Sequence, residues 1–302
     1  MLLFRLILMA ELHDFRPKLL SVELGMFLIV QALALLAAAN LIVKGLAPEK
    51  MQGEAPALGM IGIAFAIAIV IMIAVLYFLK TPKTFGIFFG FMMFIGTEIF
   101  FEAFVPSLIA IVIAAIVVAV RFIKPNVITH NIAIFLTVAG ISTMLGLTMP
   151  SARSVIILLI VLSIYDYIAV FKVGSMISMF KKMLERGAPF AIVVPESVEH
   201  FGEHMEKVSK EKLKQHAQKK KSETPKFMML GTGDLAFPAI FAVSAYAQYQ
   251  WIPAIAVVMG AVVGVVVNHY FLTKKFKAIP ALPAIACFSI IAFAITQIPS
   301  WI

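Results

Sequence analysis

Five acids stand in or near apolar stretches of this chain, Glu23, Glu98, Glu102, Asp166 and Asp234, where an ionisable group is costly and is a functional candidate by default. Asp166 lies in Ser163-Ile164-Tyr165-Asp166-Tyr167, and Asp234 in Leu230-Gly231-Thr232-Gly233-Asp234. Lys172 follows Asp166 by six residues and Lys226 precedes Asp234 by eight. At helical rise those offsets are roughly 9 and 12 Å. If the two stretches are antiparallel neighbours, both carboxyls reach a similar depth below one membrane surface and can face each other. Two carboxyls in contact cannot both ionise easily, so such a pair holds one shared proton. That state suits hydrolysis of a peptide bond: the ionised acid takes a proton from water while the protonated one hydrogen-bonds the scissile carbonyl. The other reading is two separate acids, each satisfied by local partners. Gly231 and Gly233 favour the first, because without side chains they let another backbone approach the acid.

A third element lies in Ile279-Pro280-Ala281-Leu282-Pro283, just after Lys277. Its two prolines remove backbone donors and disfavour a regular first turn. Irregular backbone at membrane depth is tolerated where it lines a cavity or is buried in protein. It could hydrogen-bond an extended peptide by strand addition. The plainer alternative is that these prolines simply start a helix.

The elements that must carry these residues follow from composition. Of 302 residues, 62% are hydrophobic and only 14% charged, too few polar groups to cover a water-soluble globule. One cysteine excludes a disulfide framework and a cysteine-based metal site. Spans of about 20 apolar residues are needed to cross a bilayer. They fall at roughly Leu19–Val43, Leu58–Leu79, Phe85–Phe104, Ser107–Val120, Val127–Met149, Val155–Gly174, Phe227–Tyr249, Ile252–Leu272 and Ile279–Ile298. The expected fold is therefore an all-α polytopic membrane protein of nine transmembrane helices. Residues 1–174 form an N-terminal part with spans 1–6, residues 175–226 a mobile cytoplasmic loop, and residues 227–302 a C-terminal part with spans 7–9. Together they make one membrane domain. Met1–Ala10, interrupted by Arg5, reads as an interfacial helix rather than a cleaved signal.

The net charge of +9 is topological rather than a sign of nucleic-acid binding. With nine spans, only Lys44, Lys50 and Arg153 fall on one side, and every other Lys and Arg on the side of the N-terminus. That places the N-terminus and the span 6–7 loop in the cytoplasm and the C-terminus outside. The loop carries an apolar patch, Ala188–Val194, then a charged segment, Glu196–Lys221, with helical spacing. It is too small and polar for an independent core.

Tyr165-Asp166 in span 6, Gly231-Thr232-Gly233-Asp234 in span 7 and Pro280-Ala281-Leu282 opening span 9 jointly resemble the presenilin and signal peptide peptidase family of intramembrane aspartyl proteases. The size resembles a prokaryotic presenilin homologue, and the inside N-terminus resembles presenilin, since signal peptide peptidases are inverted. The resemblance implies hydrolysis of peptide bonds within or near single-pass transmembrane helices. Asp166 and Asp234 would be catalytic. Tyr165, Gly231, Thr232, Gly233, Pro280, Ala281 and Leu282 would contact or position the transmembrane peptide substrate. No metal or organic cofactor is implied. Thr232 fills a variable place often held by Leu, and Pro283 is an extra proline beside the third motif. The resemblance also suggests that Ala188–Val194 can occlude the site or be self-cleaved; the alternative for this patch is an interfacial segment.

Other constellations carry less. His200-Phe201-Gly202-Glu203-His204 fits H-x-x-E-H, a zinc-protease pattern, but Gly202 weakens the helix and a third ligand is not evident. Glu98 and Glu102 share a helix face in span 3 beside Pro106 and read as interfacial acids. Gly86-x-x-x-Gly90 and Gly260-x-x-x-Gly264 read as internal helix packing. His269 reads as a packed, hydrogen-bonded histidine. From a different class, intramembrane acids and broken helices also suit an acid-coupled transporter or cation leak channel. A prepilin-type peptidase shares the Gly-x-Gly-Asp acid but lacks Pro-Ala-Leu. The oligomeric state is not encoded in any of these features.

Overall fold

The computed structural model describes residues 17–49, 59–60, 62–63, 67, 70–71, 82–170, 190–195, 198–217, 227–275 and 280–298. The described helices are α1 (Pro17–Val43), α2 (Pro82–Glu102), α3 (Ser107–Ile123), α4 (Val127–Thr148), α5 (Ala152–Ile168), α6 (Met205–Ala217), α7 (Thr232–Tyr249), α8 (Trp251–Lys275) and α9 (Leu282–Gln297). Two strands, β1 (Ala191–Pro195) and β2 (Phe227–Gly231), precede α6 and α7 respectively. Eight helices coincide with expected spans; α6 belongs to the polar insertion. Four of them, in α1, α2, α4 and α8, are each long and apolar enough to cross a membrane by themselves. The expected interfacial helix Met1–Ala10 and most of the span Leu58–Leu79 lie outside the described residues.

Large apolar side chains face outward along the helices. On α3, Leu108, Val112, Ile116 and Ile123 are all exposed, a surface suited to lipid and not to water. The interior is organised around α7. It packs against α1, α4, α5, α8 and α9, and every residue from Pro238 to Tyr246 is buried. A helix covered on all sides must be apolar all round, and this one is also rich in alanine, which lets five neighbours come close.

Glycine sets the closest approaches elsewhere. A Cβ at Gly96 would sit 2.6 Å from the carbonyl oxygen of Thr137, so α2 and α4 meet backbone to backbone. A Cβ at Gly264 would sit 2.5 Å from Cα of Ile285, and Gly260 faces the Phe288 carbonyl on the same helix. Gly90 meets the ring of Phe122. Both small-residue motifs therefore serve contacts within the chain, as their sequence suggests.

Three features differ from the sequence-based expectation. The start of span 7, Phe227–Gly231, is a strand and not a helix, because it pairs antiparallel with Ala191–Pro195. Most of the described part of the apolar patch correspondingly lies in a fully buried strand, Ala191–Pro195. Finally, α3 continues three residues past Val120 and carries Arg121 into its last turn, where the residue is buried rather than in a loop.

The expected charged helix in the insertion is present as α6. It has no core of its own. Met205 and Val208 pack with Val127, Val193 and Phe227, and Met205 N–H donates to the Pro125 carbonyl. The insertion thus docks on the start of α4, whose N-terminus is closed by a capping box: Thr129 N–H donates to Asn126 Oδ1 at 2.9 Å, and Asn126 N–H to Thr129 Oγ1 at 3.3 Å.

Candidate active site

Asp234 is the third residue of α7, immediately beyond β2. Gly231 is the N-cap, and its N–H is donated to the Asp234 carboxylate, so the acid reaches back to cap its own helix. A Cβ at Gly231 would sit 3.2 Å from Asp234 Oδ2, so glycine here is what lets the carboxyl fold back. At Gly233 a Cβ would meet only the Phe237 ring, at 3.3 Å. Pro238 lies four residues beyond Asp234 and has no N–H to give the Asp234 carbonyl. Two carbonyls beside this break accept from neighbouring helices. Gln31 Nε2 of α1 donates to Leu235 O at 3.0 Å, and Ser142 Oγ of α4 donates to Ala236 O at 3.3 Å. These bonds tie the acid-bearing first turns to α1 and α4.

Asp166 lies in the last turn of α5, buried, and α5 packs directly against α7. Its carboxylate accepts the backbone N–H of Leu282. Asp166 and Asp234 are close enough to act on each other electrostatically, and Glu23 of α1 acts on Asp234 as well. The two sequence-selected acids are therefore brought together, each anchored by a main-chain donor: one from the strand β2, the other from the first residue of α9.

Pro280, Ala281 and Leu282 are all buried, and α9 begins at Leu282 with Ala281 as its N-cap. Of this short motif, Leu282 N–H serves Asp166 and Ala281 O accepts from Ile285 N–H at 3.2 Å. Pro280 has no N–H. Of the two main-chain donors in the segment that the sequence offered for direct peptide contact, the Leu282 N–H is thus committed to an acid. Thr232 is half-buried, and its N–H and Oγ1 both donate to the Phe190 carbonyl, at 3.2 and 3.3 Å, continuing the strand pairing into α7. Tyr165, beside Asp166, is exposed on the outer face of α5.

Several polar groups surround the acids: His269 is packed and hydrogen-bonded as its sequence suggests, while its pairing with Glu23 and the roles of His130 and Asn131 were missed. Glu23 and His269 are fully buried and joined, His269 Nδ1 to Glu23 Oε2, at 2.7 Å across α1 and α8. His130 and Asn131, at the start of α4, bond the backbone of β1. The available signal was a polar pair early in an otherwise apolar span. The H-x-x-E-H cluster is engaged locally: Glu203 Oε1 pairs with His200 Nδ1 at 2.9 Å and Oε2 with Lys207 Nζ at 3.2 Å. Glu102 Oε1 accepts from Ser107 Oγ at 3.0 Å, bridging α2 and α3.

In a multi-pass helical membrane protein, two neighbouring carboxyls held at the ends of packed helices suit, as a class, an aspartyl hydrolase of the bilayer. The family described as signal-peptide peptidase, presenilin aspartyl protease matches residues 24–302, and the chain belongs to it. Two solved structures described as a presenilin family intramembrane aspartate protease, one in a C222 and one in a P2 crystal, share this fold. Each is 21% identical, with TM-scores of 0.60 and 0.61, covering 90% of this chain and 94% of its own. No curated protein sequence matches. The chain is thus an integral membrane protein and an intramembrane aspartyl protease by family. The transporter alternative gains no support.

Proposed function

We propose that Asp166 and Asp234 are the catalytic pair and that they hydrolyse peptide bonds within or near single-pass transmembrane helices. The observation that carries this reading is their juxtaposition, with each carboxyl fixed by a backbone N–H from a different part of the chain. A water held between them is activated by the ionised acid, and the protonated acid hydrogen-bonds the substrate carbonyl. Neither step calls on a metal or organic cofactor.

A helical substrate must first unwind, since its carbonyls are already bonded within the helix. The sheet supplies a place for the extended segment. In an antiparallel pair, alternate residues turn their N–H and C=O groups away from the partner strand. Thr232 N–H bonds Phe190 O, so the register turns Met229 toward the far edge of β2. Among the described residues, the Met229 backbone groups have no partner there. A peptide added along this edge lies beside Asp234, with Gly231 and Gly233 clearing its path and Thr232 holding the strand-to-helix junction. Pro280, Ala281 and Leu282 act by fixing Asp166, and Tyr165 borders the same acid from the outer face of α5.

In this reading nine spans cross the bilayer, with the N-terminus and the insertion 175–226 cytoplasmic and the C-terminus outside, according to the distribution of Lys and Arg. The test is cleavage of a model transmembrane peptide by the purified chain in lipid, followed by mass spectrometry. Asp166→Asn and Asp234→Asn each lower kcat by at least about 10³-fold, the weight of a general acid or base. An active, folded variant of either would overturn the assignment.

A further inference from the structure

A two-stranded sheet has two outer edges, and an extended peptide can in principle add to either. Only the β2 edge lies beside Asp234. The β1 edge is occupied, and by side chains. Asn131 Nδ2 donates to Val193 O at 2.7 Å, and Val193 N–H donates to Asn131 Oδ1 at 2.9 Å. One side-chain amide thus reproduces both hydrogen bonds that a third strand would make with Val193. His130, one residue earlier, bonds the Ala191 carbonyl through Nε2 at 2.9 Å. Pro195, the next residue turned toward that edge, has no N–H. From Ala191 O to Pro195 N, no backbone group on this edge is left for an incoming strand.

The histidine is itself oriented. Arg121 Nε donates to His130 Nδ1 at 3.1 Å, which requires a lone pair on Nδ1 and places the ring proton on Nε2, facing Ala191 O. Arg121, His130 and Asn131 are all buried, and the His130 ring stacks on Phe89 with centroids 6.1 Å apart. The base of this arrangement is the capped start of α4, which also holds the insertion through Val127 N–H to Glu203 O at 3.0 Å.

We propose that Arg121, His130 and Asn131 form an edge clamp: they close the β1 side of the sheet and thereby confine an extended substrate to β2, in one register beside Asp234. These are positioning residues, acting through β1. The inference rests on the protease reading given above and adds to it which residues set the cut position. Without the clamp, β1 gains a free edge and loses its lateral support, so a peptide can pair wrongly or shift along β2. A one-residue slip turns every side chain over and presents a different bond to the acids.

The experiment uses the full chain in lipid with a model transmembrane peptide, read for KM, kcat, cut positions by mass spectrometry, and Tm. Asn131→Ala spreads cleavage over additional positions and raises KM roughly 3- to 10-fold, the weight of one net hydrogen bond, with kcat little changed. His130→Ala does the same, and His130→Gln, whose amide N–H can meet Ala191 O, restores the narrow pattern. Loss of general stability would lower total cleavage without changing the ratio of products. A folded Asn131→Ala variant with the wild-type product pattern and KM overturns the proposal. If that variant does not fold, the histidine pair decides: equal product patterns in His130→Ala and His130→Gln overturn it, and recovery in the second upholds it. A wild-type protein that cuts nothing sinks the protease reading and the clamp together. A wild type that cuts, with product patterns unmoved by these substitutions, sinks the clamp alone.

Discussion

Gly264→Ala tests whether the position of Asp166 depends on the packing of α8 against α9. The added Cβ would lie 2.5 Å from Ile285 Cα, 2.8 Å from its nitrogen and 2.9 Å from Ala284 O. All three are backbone atoms and cannot rotate away. Reaching an ordinary contact of 3.4 Å requires the start of α9 to move by about 0.9 Å. Leu282, three residues before Ile285 and in the same first turn, moves with it and draws its N–H from the Asp166 carboxylate. Two opposing effects act on stability. Overpacking costs about 1–3 kcal/mol. Alanine in place of glycine in a helix returns about 1 kcal/mol. The net loss is therefore small, about 0–2 kcal/mol. The effect on catalysis is larger, because a misplacement near 1 Å costs about 10²-fold in rate, equal to about 2.7 kcal/mol of activation free energy. The assay is kcat for a model transmembrane peptide beside Tm of the same preparation. Gly86→Ala is the control, since its Cβ meets only a Phe122 ring carbon at 3.7 Å. A Gly264→Ala protein with wild-type kcat would refute the claim that α9 holds the acid in place.

The two glycines before Asp234 separate in the same assay. Gly231→Ala pushes directly on Asp234 Oδ2 and lowers kcat by about tenfold or more, as expected for a displaced reacting group. Gly233→Ala leaves Asp234 in place and meets only the Phe237 ring in the free enzyme, so kcat changes by less than about threefold and the narrowing of the peptide's path is read in KM. For the buried Glu23–His269 contact, Glu23→Leu alone leaves a buried imidazole nitrogen without its acid and costs about 1–3 kcal/mol, seen as a lower Tm. Glu23→Leu combined with His269→Phe recovers most of that loss. A single substitution with unchanged Tm would show that the pair is not under that constraint.

The acids were legible because an ionisable residue in an apolar run is costly and invites a functional reading, and the glycines beside Asp234 marked a close approach. The boundaries of α1, α4 and α8 were legible for the same local reasons: apolar length, then Pro or a capping residue. The strand β2 was not. Phe227–Leu230 is apolar and continues beyond Gly231 and Gly233 into an apolar helix, so it reads as the first turn of span 7. Only its partner, Ala191–Pro195, makes it a strand, and that partner lies far away in sequence. Asn131 and His130 were hidden by the same kind of distance. Within their own span they are two polar residues near a helix start, and their purpose appears only when β1 is laid against them. Arg121 was misplaced for a related reason: a basic residue after an apolar span looks like a loop charge until His130 gives it a buried acceptor.

The passage from β2 to α7 has no slack. Gly231 ends the strand and caps the helix, and Asp234 follows within that first turn while bonded back to Gly231. In the proposed mode of binding, gripping a guest chain and aiming the acid are therefore one motion of one rigid joint. A peptide that fails to seat against the strand leaves the joint unsupported, so discrimination between guests is built in before any bond is broken. The spacing from Met229 to Asp234 then works as a fixed gauge, and inserting a single residue at the joint would relocate the scission rather than merely weaken it.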